Sequence, residues 1–317
     1  MKRKNSRNDL RNTTQKRPGR SCAGAFELFF SVVFLSVLLG GVGWGQAQTN
    51  LLKLDRPSRY SLGQFFEYTE FGEKTQYVMR NELMVGLYPK LDLKLSFPSV
   101  LHQRVRHVLD ETNGFDRNVD IYGTGDVSIG LHGTLLRRMK PTGQRVAVIF
   151  EVVLPTGVDD KKEFFVRLDR RKQLGSGAFG FRGGFANVIE RGRHHLSTSV
   201  YYQHWTRHEE IRLGPSLHVD TGYSYRFLPV LKDPSGSELE LRGVVEVASS
   251  YRWSSLNAAG RWLKDEGPEV WIKPGFEVKP SGGMKILARV SLPICQDRED
   301  ELGERRWGAT FGIQFDF

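Results

Sequence analysis

The feature that most constrains the fold is an alternation of apolar and polar residues that recurs in segments of strand length. In the stretch "GATFGIQFDF", for example, every second residue from Ala309 to Phe317 is apolar. Successive side chains of a β-strand point to opposite faces, so such a segment has one apolar and one polar face. About twelve such segments span residues 59–71, 75–88, 91–106, 122–137, 144–155, 174–189, 194–207, 211–227, 238–251, 268–279, 283–294 and 306–317.

The lengths of these segments and the glycine content both favour an all-β membrane protein. Each segment is near the roughly 9–11 residues that a tilted membrane strand needs. The 317 residues include 34 glycines, and aromatic residues make up 11% of the chain. Glycine destabilises helix interiors, so this composition suits strands and turns. A chain of this length can form a single barrel.

The links between the segments alternate in length. "PK", "MKPTGQ", "ERGR" and "PSGG" are short, whereas "VLDETNGFDRNVDI" and "TGVDDKKEFFVRLDRRKQ" are long and charged. Short turns at one end and long loops at the other are typical of outer-membrane barrels. Two links depart from this rhythm, because "RHEE" is short and "LPVLKDPSGS" is long. We predict one antiparallel transmembrane β-barrel of about 12 strands over residues 58–317, with both ends periplasmic. A soluble exported β-protein is the alternative fold.

The first part of the chain has the pattern of an export signal. A basic stretch precedes an apolar run, Leu28 to Leu39, that is shorter than the roughly 20 residues of a membrane-spanning helix. Gly45 and Ala47 are small residues at the spacing that a signal peptidase accepts. We predict a signal peptide over residues 1–47, a linker over 48–57 and a location in the outer membrane of a Gram-negative-type cell. An uncleaved anchor is the alternative.

The net charge of +10 does not indicate a nucleic-acid partner. Eight of the 46 Lys and Arg residues lie in the predicted leader, which leaves 38 against 34 acidic residues in the remainder. The remaining charges are dispersed and form no basic stripe or recognition module. We therefore expect no nucleic-acid binding.

The alternation allows either face of the sheet to be the inner one, and the barrel hypothesis decides between them. In a membrane barrel the apolar faces meet lipid and the polar faces line the lumen. Aromatic residues near segment ends are expected at the membrane interfaces, and these are Trp205, Trp253, Trp271, Trp307, Tyr88 and Tyr251. The predicted lumen-lining residues are Arg182, Arg212, His218, Asp220, Arg226, Glu246, Lys273 and Arg289.

Three glycine-rich motifs resemble those of a known family. "GTGDVSIG" at 123–130, "VVLPTG" at 152–157 and "LGSGAFGF" at 174–181 occur in this order. On these motifs the chain resembles the outer-membrane family associated with the meta-pathway of phenol degradation. The resemblance implies a passive pore or transporter for small hydrophobic or aromatic solutes, working without a cofactor. Phe317 is similar to the terminal aromatic residue that the outer-membrane assembly machinery reads in many barrels, which implies that machinery as a partner.

A histidine and a serine suggest a different function. His195 and Ser197 lie two apart, on one face of a predicted strand, as in barrel phospholipases. No third, orienting residue can be identified. A barrel-embedded lipid hydrolase is therefore one alternative, and a non-transporting structural or adhesive barrel is another.

Two further patterns match ligand-binding motifs only in part. Asp116, Asn118 and Asp120 are spaced like the start of a calcium loop, but Ile121 replaces the turn glycine and Val127 the bidentate glutamate. "GSGAFG" matches a dinucleotide motif, but a strand-like segment follows it and not a helix. We therefore predict no enzymatic activity, no cofactor and no metal.

Overall fold

The computed structural model describes most of the predicted barrel. The described residues are 60–72, 74–110, 115–138, 143–163, 166–167, 173–208, 211–228, 239–257, 260–263, 266–280, 283–297 and 305–317. The predicted signal peptide (1–47) and linker (48–57) lie outside these ranges, so they stay predictions. Within the described ranges, no helix has the length and hydrophobicity to cross a membrane.

The regular structure consists of fifteen β-strands. They are β1 (Tyr60–Phe71), β2 (Lys74–Tyr88), β3 (Leu91–Asp110), β4 (Phe115–Thr124), β5 (Val127–Arg138), β6 (Gly143–Leu154), β7 (Lys162–Glu163), β8 (Val166–Arg167), β9 (Gly180–Arg191), β10 (His194–Trp205), β11 (Ser216–Leu228), β12 (Glu240–Arg252), β13 (Gly267–Lys279), β14 (Met284–Gln296) and β15 (Arg305–Asp316). Strands β7 and β8 form a small separate hairpin in the link between β6 and β9.

The other thirteen strands form one closed antiparallel sheet. Strand β15 pairs with β1 and β2 pairs with β3, and the ladders β3–β5, β5–β6 and β6–β9 connect to an unbroken series from β9 to β15, so the sheet closes on itself. Strands β4 and β5 both pair with β3, and they continue one another across Gly125 and Asp126. The barrel wall therefore has twelve positions, which confirms the predicted fold class and strand number.

The predicted segments match the strands closely, with three clear exceptions. Most of the predicted long link "VLDETNGFDRNVDI" is strand, because β3 extends to Asp110 and β4 begins at Phe115. The segment predicted to begin at residue 211 begins as a strand only at Ser216, and the segment predicted from residue 174 begins at Gly180. Gly214 and Pro215 precede β11, and a Cβ on Gly214 would lie 1.7 Å from the carbonyl oxygen of Trp253. This close approach of two links moves the start of β11. The link after β10 is therefore longer than the predicted "RHEE", and it no longer breaks the rhythm of loop lengths.

The polarity of the barrel is inverted relative to that of a soluble protein. Phe185 and Phe311 point outward and are 58% and 44% exposed, whereas Lys285 and Glu246 point inward and are 2% and 0% exposed. Lysine and glutamate are almost never fully buried in water-soluble proteins unless paired, and large apolar patches are rarely left exposed. The closed sheet with an apolar outside and a charged inside is the architecture of a transmembrane barrel.

A row of aromatic rings follows the outside of the barrel near the end opposite the termini. Tyr68 packs against Trp307 and Tyr77, with ring centroids 4.7 and 5.0 Å apart. The row continues through His102 to Tyr122 at 6.0 and 5.4 Å, so it crosses five adjacent strand positions. Aromatic rings at this level are typical of the membrane interface, where one side of the ring is apolar and the other is hydrated.

Candidate functional site

The candidate site is a cavity of about 480 Å³ in the lumen. We call it the vestibule. It occupies the half of the barrel away from the chain termini, and inward-facing residues of strands on every side line it. Of the predicted lumen residues, six line the vestibule: Arg182, His218, Asp220, Glu246, Lys273 and Arg289.

A buried glutamate links three strands at the base of the vestibule. The two carboxylate oxygens of Glu246 on β12 accept hydrogen bonds from Lys273 Nζ on β13 at 2.9 Å and from Arg289 Nη1 on β14 at 2.8 Å. Each bond joins two charged groups, so it is stronger than a hydrogen bond between neutral groups. The triad therefore holds the inner faces of β12, β13 and β14 together.

A second cluster of charges lies on the strands from β2 to β9. Glu151 contacts Arg182 Nη1 at 2.5 Å and His132 Nε2 at 3.2 Å, and Lys94 lies 4.0 Å away. Lys94 also pairs with Glu82 at 3.3 Å, and Glu82 contacts Arg80 at 3.2 Å. The carboxylates in this cluster are thus shared between several cationic groups.

In the two best-formed clusters, the cationic groups are more exposed to the vestibule than the carboxylates. The side chains of Arg182 and Lys273 are 28% and 27% exposed, whereas those of their partners Glu151 and Glu246 are 6% and 1% exposed. At these two clusters, a small solute in the vestibule therefore meets guanidinium and ammonium groups before carboxylates. This arrangement favours solutes that carry a hydrogen-bond acceptor or a negative charge.

Aromatic rings lie beside these cations. The guanidinium of Arg182 lies 5.1 Å from the centroid of the Tyr201 ring, and that ring stacks on His218 at 4.6 Å. Trp271 also lines the vestibule and is almost fully buried. The prediction that Trp271 anchors the membrane interface was wrong, because the residue shares the inward face of β13 with Lys273 and Glu277.

At the floor of the vestibule and below it, side chains pack against one another in the lumen. Lys285 bonds to Glu277 at 2.8 Å, and both side chains are 2% exposed. Elsewhere in this lower half an apolar cluster packs Met84 of β2 against Ala147, Ile149, Ala186 and Val188 of β6 and β9. These contacts therefore occupy part of the lumen below the vestibule.

The two other predicted lumen residues lie away from the vestibule. Arg226 is buried near the opposite end of β11, where its Nη2 donates to the carbonyl oxygen of Gly192 at 3.1 Å. The structure does not place Arg212 on the barrel wall. Its backbone pairs with Leu256 in an isolated bridge between two links, because β11 begins four residues later than Arg212.

The proposed hydrolytic pair does not form a catalytic arrangement. His195 and Ser197 both point inward from β10, but no hydrogen bond joins them, and both His195 ring nitrogens and Ser197 Oγ are buried without a hydrogen-bond partner. Ser197 is 2% exposed. A lipid ester in the membrane therefore has no access to this serine.

The calcium-like spacing falls on a strand, and this part of the predicted long loop is not a loop. Asp120 lies on β4, where its carboxylate contacts His102 Nε2 at 2.9 Å and Arg104 Nε at 3.0 Å on β3. An extended strand cannot wrap its side chains around one cation as a calcium loop does. Among the described residues, no cluster of three or more His, Cys, Asp or Glu side chains could hold a metal ion.

The three glycine-rich motifs meet at the rim of the barrel. We call this contact the clasp and define it by Asp126, Gly157, Gly175 and Ser176. The Asp126 carboxylate accepts backbone hydrogen bonds from Gly157 N at 2.9 Å and Ser176 N at 2.7 Å. A Cβ on Gly175 would lie 2.5 Å from the carbonyl of Gly157, so only glycine fits there. The motifs thus fold the β6–β9 link onto the rim.

The clasp can be tested by replacing its carboxylate. We expect Asp126→Ala to release the β6–β9 link, because hydrogen bonds to a charged group contribute about 1.5–3 kcal/mol each. Trypsin cleavage after the exposed Lys161 and Lys162 should then become at least roughly tenfold faster while the barrel stays intact. Asp120→Ala is the matched control, since Asp120 also accepts two hydrogen bonds but contacts only β3. Equal cleavage rates in the two variants would contradict the role of the clasp.

Comparison with known proteins bears on the fold alone. No protein-family model and no curated protein matches the sequence. An outer membrane channel from Pseudomonas putida F1 has a similar structure, with a TM-score of 0.62 at 10% identity over 84% of this chain and 98% of that one. The β domain of a Bordetella autotransporter gives a TM-score of 0.43 at 8% identity, over 83% and 100% of the two chains. The translocator domain of the Neisseria meningitidis autotransporter NalP gives 0.38 at 10% identity, over 94% and 98%.

Proposed function

We propose that this protein is a passive channel of the outer membrane that takes up small solutes through the vestibule. The observation that carries the proposal is a cavity with exposed cationic groups inside a closed barrel whose outside is apolar. The similarity of the fold to an outer membrane channel supports it. In the proposed orientation the vestibule opens to the outside of the cell and the chain termini face the periplasm.

We infer that the solutes are small aromatic molecules that carry an acceptor or an anionic group. The three glycine-rich motifs resemble those of a family linked to phenol degradation, and Phe65, Tyr201 and Trp271 offer aromatic surfaces to the vestibule. The rest of its lining is mostly polar, so a solute that enters through its mouth from water is expected to carry a polar group. Arg182 is the group that would bind the acceptor, because it is exposed and already lies over the Tyr201 ring.

The proposed transport needs no cofactor and no chemical step. The solute moves down its gradient once the charged groups below the vestibule rearrange, and the barrel itself supplies the path. The proposal includes assembly into the outer membrane through the usual barrel machinery. The hydrolase alternative gains no support from the buried and unconnected His195 and Ser197.

Solute binding can be tested with benzoate as the probe. We expect wild-type protein in planar bilayers to conduct ions, and benzoate to block this current. Arg182→Gln should weaken the block by roughly 10- to 100-fold, because a hydrogen bond between charged groups contributes about 1.5–3 kcal/mol. Arg104→Gln is the matched control, since Arg104 is an exposed arginine on the outside of β3.

Two results would contradict the proposed function. If folded wild-type protein conducts no ions and takes up no solute, the barrel has a structural or adhesive role. If Arg182→Gln and Arg104→Gln respond equally to benzoate, the vestibule is not the binding site. Heat-modifiable mobility in gels should show beforehand that each variant has a folded barrel.

A further inference from the structure

A second cavity lies on the outside of the barrel, directly behind the vestibule. We call it the outer groove. Its volume is about 710 Å³, and its lining is almost entirely apolar. Large residues such as Phe66, Phe276 and Phe311 line it together with Gly275, Ala288 and Ala309, whose small side chains leave the space open. In a membrane this groove faces the acyl chains.

The vestibule and the outer groove are separated only by the thickness of the barrel wall. Four residues line both cavities, namely Glu67, Tyr68, Arg289 and Thr310. Three of them, Glu67, Arg289 and Thr310, carry polar side chains on the inward face, so the groove reaches the backbone of the wall. The four shared residues lie on β14, β15 and β1, and the groove as a whole extends from β13 to β3.

The backbone pairing between β13 and β14 is interrupted at this place. The two strands pair at Ile272 with Leu292 and again at Gly275 with Arg289, but the fully described stretch between these pairs shows no pairing. Pro274 lies in the gap and has no backbone N–H to donate, so it removes a hydrogen bond from the ladder. We call the gap, which comprises residues 273–274 and 290–291, the β13–β14 seam.

The register of the seam is also irregular just beyond the gap. Trp271 pairs with Pro293, which is a second proline without a donor, and the register shifts between Val270 and Trp271. Proline within a sheet is normally confined to edges and bulges. Two prolines on facing strands therefore mark the seam as a weak part of the wall.

The pairing of β14 with its other neighbour, β15, also stops before β14 ends. The last pair between β14 and β15 is Ser291 with Gly308. The pairing between β15 and β1 continues beyond this level, towards the end of the barrel opposite the termini, as far as Phe71 with Arg305. Among the described residues, the part of β14 after Ser291 is thus paired only with β13, across the irregular ladder. This strand end can separate from the wall at a lower energetic cost than any strand paired on both sides.

The inner side of the seam is closed by the Glu246 triad. Lys273 lies in the gap on β13, and Arg289 directly borders it on β14. Both donate to the same carboxylate on β12, at 2.9 and 2.8 Å. The ion pairs therefore replace the missing backbone bonds, and side chains can rearrange more easily than a strand ladder.

We propose that the β13–β14 seam is a lateral portal that connects the vestibule with the membrane. Its occupant is a small apolar aromatic molecule dissolved among the acyl chains, which enters the outer groove and passes between Pro274 and Val290. The inference rests on the proposed function in that it takes the vestibule as the route of transport. It adds a second class of solute, one that partitions into lipid, and a second entrance to the same cavity.

Trp271 provides an internal reporter for this portal. It lines the vestibule close to the seam, and it becomes the only tryptophan when Trp44, Trp205, Trp253, Trp262 and Trp307 are replaced by phenylalanine. We expect 1,4-dibromobenzene dissolved in lipid vesicles to quench its fluorescence through the portal. Acrylamide, which is soluble in water, reaches the same residue through the mouth of the vestibule.

A disulfide across the seam should separate the two routes. The double variant Pro274→Cys and Val290→Cys, made with Cys22 and Cys295 replaced by serine, places two outward-facing thiols opposite each other in the register of the flanking pairs. Oxidation should reduce quenching by dibromobenzene at least threefold and leave quenching by acrylamide unchanged. The matched control is Tyr223→Cys with Val245→Cys, a facing pair in the regular β11–β12 ladder. Oxidation of this control pair should change neither the quenching by dibromobenzene nor the quenching by acrylamide.

The outcomes distinguish this proposal from the proposed channel function. If oxidation of the seam pair leaves quenching by dibromobenzene unchanged, the portal does not exist, and the groove holds acyl chains only. Conductance and benzoate block, measured on the same oxidised protein, report separately on the vestibule. Pro274→Val gives an independent check without cysteines, since it restores a backbone donor to the ladder. It should slow quenching by dibromobenzene, and an unchanged rate would also overturn the portal.

Discussion

Replacement of Glu246 by alanine should lower the free energy of unfolding by about 3–5 kcal/mol, because removing one partner of a buried ion pair leaves the other charge uncompensated. In this case two cations, Lys273 and Arg289, lose the same carboxylate. They also come from adjacent strands, so their repulsion acts across the β13–β14 seam. The measurement is the urea midpoint of the barrel in lipid vesicles, followed by heat-modifiable gel mobility.

The matched control for this prediction is Glu67→Ala. Glu67 also lines the vestibule, but its side chain is 29% exposed and its described ion-pair partner is Arg80, which Glu82 also contacts. A partly exposed pair of this kind contributes about 0–1 kcal/mol. Similar losses in the two variants would show that burial does not decide the strength of these pairs.

The Glu246 triad also has a functional consequence. Glu246→Gln keeps the shape of the side chain but removes a negative charge from the vestibule, and the lining becomes more positive. We expect the reversal potential under a salt gradient to shift towards anion selectivity and the conductance to rise. An unchanged selectivity would place the narrowest part of the conducting path away from Glu246.

The wall of the barrel could be predicted from the sequence because its signal is local. The segment predicted at 268–279 corresponds to β13 (Gly267–Lys279), and the segment at 283–294 corresponds to β14 (Met284–Gln296). A period of two and a glycine-rich turn determine both strands without reference to the rest of the chain. The same periodicity also predicts that Trp271 points into the lumen, because it lies an even number of residues from Lys273 and Glu277 and therefore on the same face of the strand. Its position near a strand end suggested an interface instead.

The contacts inside the lumen could not be predicted in the same way. Arg182, Glu246 and Lys273 could each be assigned to the polar face, but which charges meet depends on the register of strands that are far apart in sequence. The sequence alone does not single out Glu151 for this reason, although it contacts Arg182, His132 and Lys94. The packing in the lower lumen depends on side chains from several strands together, such as Met84 against Ile149. No single segment carries that information.

The interrupted pairing at the β13–β14 seam could not be predicted from the sequence for a related reason. Pro274 and Pro293 could be seen in the sequence, but only the register shows that they lie on facing strands near one gap. The outer groove likewise requires Gly275, Ala288 and Ala309 to be neighbours across three strands. Small residues are common in strands of this chain, so their coincidence becomes visible only in the closed barrel.

An arginine at the lipid-facing centre of the barrel should be strongly destabilising. Phe185 lies in the middle of β9, is 58% exposed and pairs with Val148 and Val200 on the flanking strands. If its side chain meets acyl chains, Phe185→Arg should lower the free energy of unfolding in vesicles by about 2–4 kcal/mol. If the same face met water, an arginine would change the stability little, so this variant tests the inverted polarity directly.

The depth of the substitution supplies the control for this prediction. Leu135 is as exposed as Phe185, at 61%, but it lies near the end of β5 beside the short turn. An arginine side chain there can extend to the interface, so Leu135→Arg should lower the free energy of unfolding by only about 0–1 kcal/mol. Equal losses at the two positions in vesicles would mean that the apolar side of this sheet does not face a bilayer.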